Sequence, residues 1–239
     1  MVRERMQELQ AEVNSVGDPD CPECHGLGAI LSTDEDGVMW SRPCKCLAKR
    51  RSERLIEKSG LGDLFESCTL KSFKVTDDWT KKCLDKAVDY CRNGRGSWFY
   101  ISGRPGTGKT HLCTGICRYL LKHGAAVRYV LWREEIPKLK ALVNEADEYD
   151  RRFNELASAQ VLYIDDFLKG TVTEADLNLA FALINARYNT KNARTIFSSE
   201  RAIRDVRQYD EAIGGRIMQR ADRYILHAPH DAKDWRAGE

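Results

Sequence analysis

The run Gly103-Arg-Pro-Gly-Thr-Gly-Lys109-Thr110 constrains the fold of this chain more than any other feature. It matches G-x-x-x-x-G-K-[ST] at every fixed position. At average residue usage, a chain of 239 residues matches by chance roughly one time in a hundred. The pattern works physically only between a strand and a helix. Its glycines let main-chain N–H groups turn inward around an anion, and the helix adds the positive end of its dipole. Both flanks read that way. Trp98–Ser102 is a strand candidate, and Lys109–Lys122 has helical spacing closed by Gly124.

The rest of the chain continues the alternation. Val127–Leu131, Val161–Asp165, Thr195–Ser199 and Tyr224–His227 read as strands. Glu134 to about Glu148, with Pro137 near its start, and Glu174–Lys191 read as helices, and polar, Arg-rich helices run to about Asp222. Strands separated by helices imply an α/β fold with a parallel sheet covered on both faces. Ahead of it, residues 1–16 carry Met6, Leu9 and Val13 at helical spacing, stopped by Gly17-Asp18-Pro19. Lys49–Lys58 looks helical, with Gly60 as a stop. The division expected is residues 1–58 as an N-terminal module and 59–239 as the main domain.

Within the loop, Gly103, Arg104, Pro105, Gly106, Thr107 and Gly108 form a phosphate cradle, Lys109 reaches the β- and γ-phosphates of ATP, and the Thr110 hydroxyl ligates Mg²⁺. His111 is counted with them. Asp165, at the C-terminal end of an apolar strand, is the second magnesium candidate, acting through water. Asp166 either orients the attacking water or caps the loop. Ser199, with Ser198 close behind, is the residue expected to sense the γ-phosphate from a neighbouring strand tip. Arg216 and Arg220 share a helix face, suited either to a neighbouring subunit's γ-phosphate or to solvent. Arg236 either folds over the phosphates or belongs to the tail. Cys113 and Cys117 read as core packing.

Nine cysteines are many for a reducing compartment, and four of them cluster. Cys21-x-x-Cys24, nineteen residues, then Cys44-x-Cys46 approaches a four-cysteine zinc pattern, its second pair one residue tighter than usual. Four thiolates suit a closed, structural Zn²⁺ site, with His25 as a substitute ligand. From Arg42 to Lys58 seven Lys or Arg stand against two Glu. This basic run is either a solvated helix face or a phosphate-contacting one, and Lys138 and Lys140 join it as DNA-contact candidates. The net charge of only +2 excludes a general polycation. No apolar run approaches the ~20 residues of a membrane span, and the first residues lack a signal-peptide block, so the cytoplasm is the expected compartment, with no membrane partner.

From roughly Gly60 to Arg236 the chain resembles the bacterial and phage helicase loaders of the DnaC/DnaI type, members of the AAA+ ATPases. The resemblance rests on Phe99–Leu112, on Val161-Leu-Tyr-Ile-Asp-Asp166, on Ile213-Gly-Gly-Arg-Ile-Met-Gln-Arg220, and on the entry segment Ser59–Phe73. A Cys-Pro-x-Cys-x-Gly-x-Gly start, here Cys21–Gly28, is similar to the N-terminal module of phage and Gram-positive relatives. The resemblance implies a five-stranded parallel sheet with a small helical lid, and a homo-oligomeric ring or spiral with ATP between subunits. By motif position it makes Arg220 the trans-acting finger, Arg216 a second interface arginine and Arg236 the lid arginine. It also implies a replicative DNA helicase bound through the N-terminal module, and single-stranded DNA in a central channel. Where the family shows Asn after the sensing strand, this chain has Glu200. Three readings stay open: an ATP-dependent helicase loader, a transposition helper of the IstB type, and a nucleotide-gated DNA-binding module with negligible catalysis.

Overall fold

The computed structural model describes residues 17–33, 38–58 and 62–237. The helix expected over residues 1–16 lies outside them. Five parallel strands form the central sheet: β3 (Phe99–Ser102), β4 (Val127–Leu131), β5 (Val161–Asp165), β6 (Arg194–Ser199) and β7 (Ile225–His227), in the order β4-β5-β6-β3-β7. The loop-bearing strand β3 therefore lies between β6 and β7, with Ser102 opposite Ser199 on one side and His227 on the other.

Side-chain alternation along the strands divides the core. Phe99, Ile101, Tyr163 and Ile196 face a layer built by α3 (Asp78–Asn93) and α4 (Lys109–Lys122), where Tyr90, Leu112, Cys113, Ile116 and Cys117 are buried. Tyr100, Leu162, Ile164 and Phe197 face the other layer, which includes α5 (Trp132–Ala141), α6 (Ala146–Ala157), α7 (Glu174–Asn189), α8 (Ile203–Tyr209) and α9 (Glu211–Ala221). β5 is buried at all five positions, as a strand covered on both faces must be. Cys113 and Cys117 are core residues, and burial holds both thiols well above their ordinary range.

The structure differs from the expected elements in four places. A single helix from Glu134 to about Glu148 is instead two, α5 and α6, with Pro137 inside α5 and residues 142–145 as the break. Two further helices lie where the sequence pattern predicts none, the short α2 (Gly62–Ser67) and the sixteen-residue α3. Asp77 caps α3, accepting from the Thr80 N–H at 2.7 Å, and Thr80 returns the bond through its side chain. An antiparallel hairpin, β1 (Ala29–Thr33) with β2 (Met39–Pro43), precedes α1 (Lys45–Lys58). Finally, the helical lid is not formed among the described residues after β7; residues 228–237 run as irregular chain instead. Ile56 of α1 joins the main core beside Phe65 and Tyr129, so the N-terminal zone is anchored to the sheet through that helix.

Candidate functional site

Loop 103–108 stands at the C-terminal end of β3, where ligands of α/β sheets collect. Gly103, Gly106 and Gly108 take φ of 147°, 81° and 82°, which side-chain-bearing residues rarely adopt. Gly108 ends the loop as the N-cap of α4 with no side-chain cap, so the first N–H groups of that helix stay open to an anion. Thr107 Oγ1 donates to Arg104 O at 2.9 Å and stiffens the turn. Lys109 is 7 % exposed and its Nζ donates to Gly103 O at 2.7 Å and Arg104 O at 2.8 Å. Burial lowers its affinity for the proton, and the Glu200 and Asp166 carboxylates oppose that.

Asp165 caps β5 directly across from the loop. Thr110 Oγ1 lies 3.5 Å from Asp165 Oδ1, an oxygen pair that suits a hard cation such as magnesium. Three further hydroxyls fix this carboxylate: Tyr163 at 2.8 Å, Tyr129 at 3.3 Å, and Ser198 through a short bond. Burial raises both tyrosines well above their ordinary range, so they remain donors. Asp166 adopts φ 54°, and its carboxylate pairs with Lys169 at 3.0 Å. Lys169 also pairs with Glu200 at 2.8 Å, the position where the family shows Asn.

Ser199 is not the serine that faces this cluster. Its Oγ donates to Phe167 O at 2.8 Å and accepts from the Arg201 N–H, on the opposite face of β6. The two-residue period of a strand turns Ser198 toward Asp165 instead, and the Asp166 N–H donates to Ser198 Oγ at 3.1 Å. Ser198, not Ser199, is therefore the serine beside Asp165, and Glu200 lines the cavity at this end of the sheet.

That cavity, about 630 Å³, is lined by Pro105, Lys109, Thr110, Asp165 and Asp166, by Phe73 at the end of the entry segment, and by Trp235, which no sequence motif marks. His111 lines it too, but its ring Nε2 faces Thr69 O at 3.1 Å and Ser72 Oγ at 3.2 Å in the entry segment. The C-terminal segment crosses the loop. The Trp235 N–H donates to Gly106 O at 3.0 Å, the Arg104 guanidinium donates to His230 O at 3.0 Å, and exposed Arg236 reaches the rim.

Arg216 and Arg220 are not brought to this chain's own loop. The Trp98 N–H donates to Arg220 O at 2.8 Å, which sets Arg220 at the N-terminal end of β3, opposite the cradle. Its guanidinium lies 5.7 Å from the Trp98 ring and donates to Thr190 O, while Arg216 covers Phe181 at 5.1 Å. Two expected DNA contacts are held by carboxylates, Lys138 by Glu134 and Lys140 by Asp176 at 2.6 Å.

The four clustered cysteines meet. Their Sγ atoms all lie within 4.8 Å of one another, with Cys21–Cys44 at 3.6 Å and Cys24–Cys46 at 3.3 Å. Zn–S bonds of about 2.3 Å in a tetrahedron place sulfurs about 3.8 Å apart, so the residues fit zinc. The tight Cys44-x-Cys46 spacing works because Cys44 follows β2 and Cys46 opens α1. His25 is exposed and outside the group, at φ 47° in a turn shared with Gly26 and Gly28, so it is not a substitute ligand here.

A family model described as IstB-like ATP binding protein matches residues 47–231. The phage-like element PBSX protein XkdC of Bacillus subtilis is 27 % identical over 87 % of this chain and 81 % of its own length. The replicative helicase loader DnaC of Escherichia coli K12 is 24 % identical over 71 % of this chain and 69 % of its own. Among solved structures, a DnaC helicase loader superposes with TM-score 0.61 at 18 % identity, over 69 % of this chain and 98 % of that one. A replication initiator DnaA bound to AMPPCP and single-stranded DNA gives 0.59 at 20 %, over 70 % of this chain and 51 % of that one. No helix among the described residues is long and apolar enough to cross a membrane.

Proposed function

This chain belongs to the IstB-like ATP-binding protein family of AAA+ ATPases, and we propose that within it the protein is an ATP-driven loader of a replicative DNA helicase. The observation that carries the reading is the division of catalytic parts between two ends of one sheet. Lys109, Thr110, Asp165 and Ser198 gather at the C-terminal end of β3, while Arg220 is held at the other end. A subunit built this way completes its phosphate site with a neighbour's arginine, which makes hydrolysis depend on a homo-oligomeric ring or spiral.

In the assembled state the loop amides and Lys109 hold the β- and γ-phosphates. Thr110 and Asp165 would hold Mg²⁺, which would neutralise phosphate charge. Asp166, released from Lys169, orients the attacking water, and Ser198 and Glu200 register whether the γ-phosphate is present. Arg236 closes over the triphosphate from the C-terminal segment. Binding and hydrolysis thus switch an oligomer that grips single-stranded DNA and hands over the helicase. Residues 1–58 form the module that contacts the helicase, and within it Cys21, Cys24, Cys44 and Cys46 would hold a structural zinc. The relatives named as DnaC loaders support this choice.

The IstB-type reading, a transposition helper, keeps the same chemistry and exchanges the partner. Mass measurement of the protein with ATP, with and without a hexameric replicative helicase, decides between them. A stable joint assembly that requires ATP is expected, and its absence sinks the loader reading.

A further inference from the structure

At the end of the sheet opposite the phosphate loop is a second cavity of about 640 Å³. Its walls are the segments that enter β3, β4, β5 and β6. Five basic side chains line it, Arg92, Arg95, His123, Lys191 and Arg194, and no carboxylate does. Among the described residues none of the four permanent cations has a side-chain hydrogen bond or an ion pair; Arg194 covers the Tyr90 ring at 5.6 Å. These residues come from three separate stretches, 92–95, 123 and 191–194, of a chain whose net charge is only +2.

A dull explanation exists. Helices α3, α4, α6 and α7 all end here, and helix C-termini attract cations. Four such ends amount to about 2 negative charges. Four permanent cations exceed that by about two charges, so the dipoles do not account for the whole cluster, and positive charge is left for an anion to offset.

We propose that this cavity binds the phosphodiester backbone of single-stranded DNA, with a base stacking at its rim. The second part rests on Tyr119 and His123, whose rings stack at 4.0 Å with a 23° tilt beside the cations. An exposed aromatic ring next to cations is the chemistry that holds single strands without reading sequence, and His123 is exposed here. The four permanent cations enter from two stretches, 92–95 and 191–194. The inference rests on the single-stranded DNA part of the loader reading and gives that strand a place on the subunit.

The test uses the full chain and a fluorescent oligothymidylate, followed by anisotropy against salt. Arg95→Ala with Lys191→Ala changes two exposed residues outside the nucleotide site, so binding of a fluorescent ATP analogue checks folding. Two lost phosphate contacts should weaken the oligonucleotide about tenfold and flatten the log–log salt slope by about 1.4, at about 0.7 per phosphate. His123→Ala should weaken the oligothymidylate but not an abasic strand of equal length. Unchanged affinity and slope in the double variant, with wild type binding normally, overturns this site alone. A wild type that takes up ATP analogue and no oligonucleotide overturns both the site and the single-stranded DNA part of the loader reading. Displacement by inorganic tripolyphosphate at equal phosphate concentration overturns the nucleic-acid assignment.

Discussion

Asp165 receives hydroxyl bonds from Tyr129, Tyr163, Ser198 and Thr110, more fixed contacts than any other carboxylate near the phosphate loop. Bonds to an ionised acceptor are strong and directional, so its oxygens are aimed before any ligand arrives. Asp166 is different, restrained by Lys169 alone through its carboxylate. Asp166→Asn is expected to keep ATP-analogue affinity and lose turnover; unchanged hydrolysis rejects its role. The adjacent serines separate in the same way. Ser198→Ala should slow turnover and also cost about 1–3 kcal/mol, because the Asp166 N–H loses its acceptor. Ser199→Ala leaves a buried partner unmatched and should cost about 1–3 kcal/mol in a denaturant melt while kcat holds.

At the scale of elements, α3 shows how a helix is specified by one reciprocal cap. The Thr80 N–H and hydroxyl both bond Asp77, and they hold its carboxyl below the usual carboxylate range. Because the folded state prefers the ionised form, this stabilisation is present above the ordinary carboxyl pKa and disappears as pH falls through the lowered one. Asp77→Ala should cost about 1 kcal/mol at neutral pH and nothing in strong acid, read as the midpoint of urea unfolding against pH. The cysteine knuckle is held by a different force. Among the described residues its core is the thiols with Leu27 and Ile30 packed against them, so a bound zinc would substitute for a core. Cys24→Ser, or a strong chelator, should release zinc and unfold the β1–β2 hairpin while ATP-analogue binding continues. Metal analysis and limited proteolysis read the two halves of that expectation.

For the whole molecule, the separation of Arg220 from Lys109 predicts complementation. Arg220→Ala should bind nucleotide normally and hydrolyse on the order of a thousandfold more slowly. Lys109→Ala should fail to bind nucleotide. Mixing the two variants puts an intact finger beside an intact cradle at some interfaces, and turnover should partly return; no recovery rejects action in trans. The core offers no obstacle, since Trp98, Tyr188 and Phe181 support the arginine face within one subunit.

Local chemistry was legible in the chain wherever a residue type is demanded by the backbone itself. Gly106 and Gly108 announce a left-handed turn, Lys109-Thr110 a phosphate site, and Val161–Ile164 a doubly covered strand ending on Asp165, because these depend on neighbours a few residues away. The clustering of the four cysteines belongs with them, since their paired spacing already grouped the thiols. What the sequence could not decide was which side chains meet across distance. Ser198 rather than Ser199 faces Asp165 because strand pleat and sheet register choose the face. Phe73 and Trp235 reach the phosphate loop because segments remote from it in sequence fold onto it. Arg92, Arg95, Lys191 and Arg194 form one basic cavity because parallel strands align their entry loops at a single edge. Distances between remote residues are set by packing of the whole sheet, and no pattern along the chain encodes them locally.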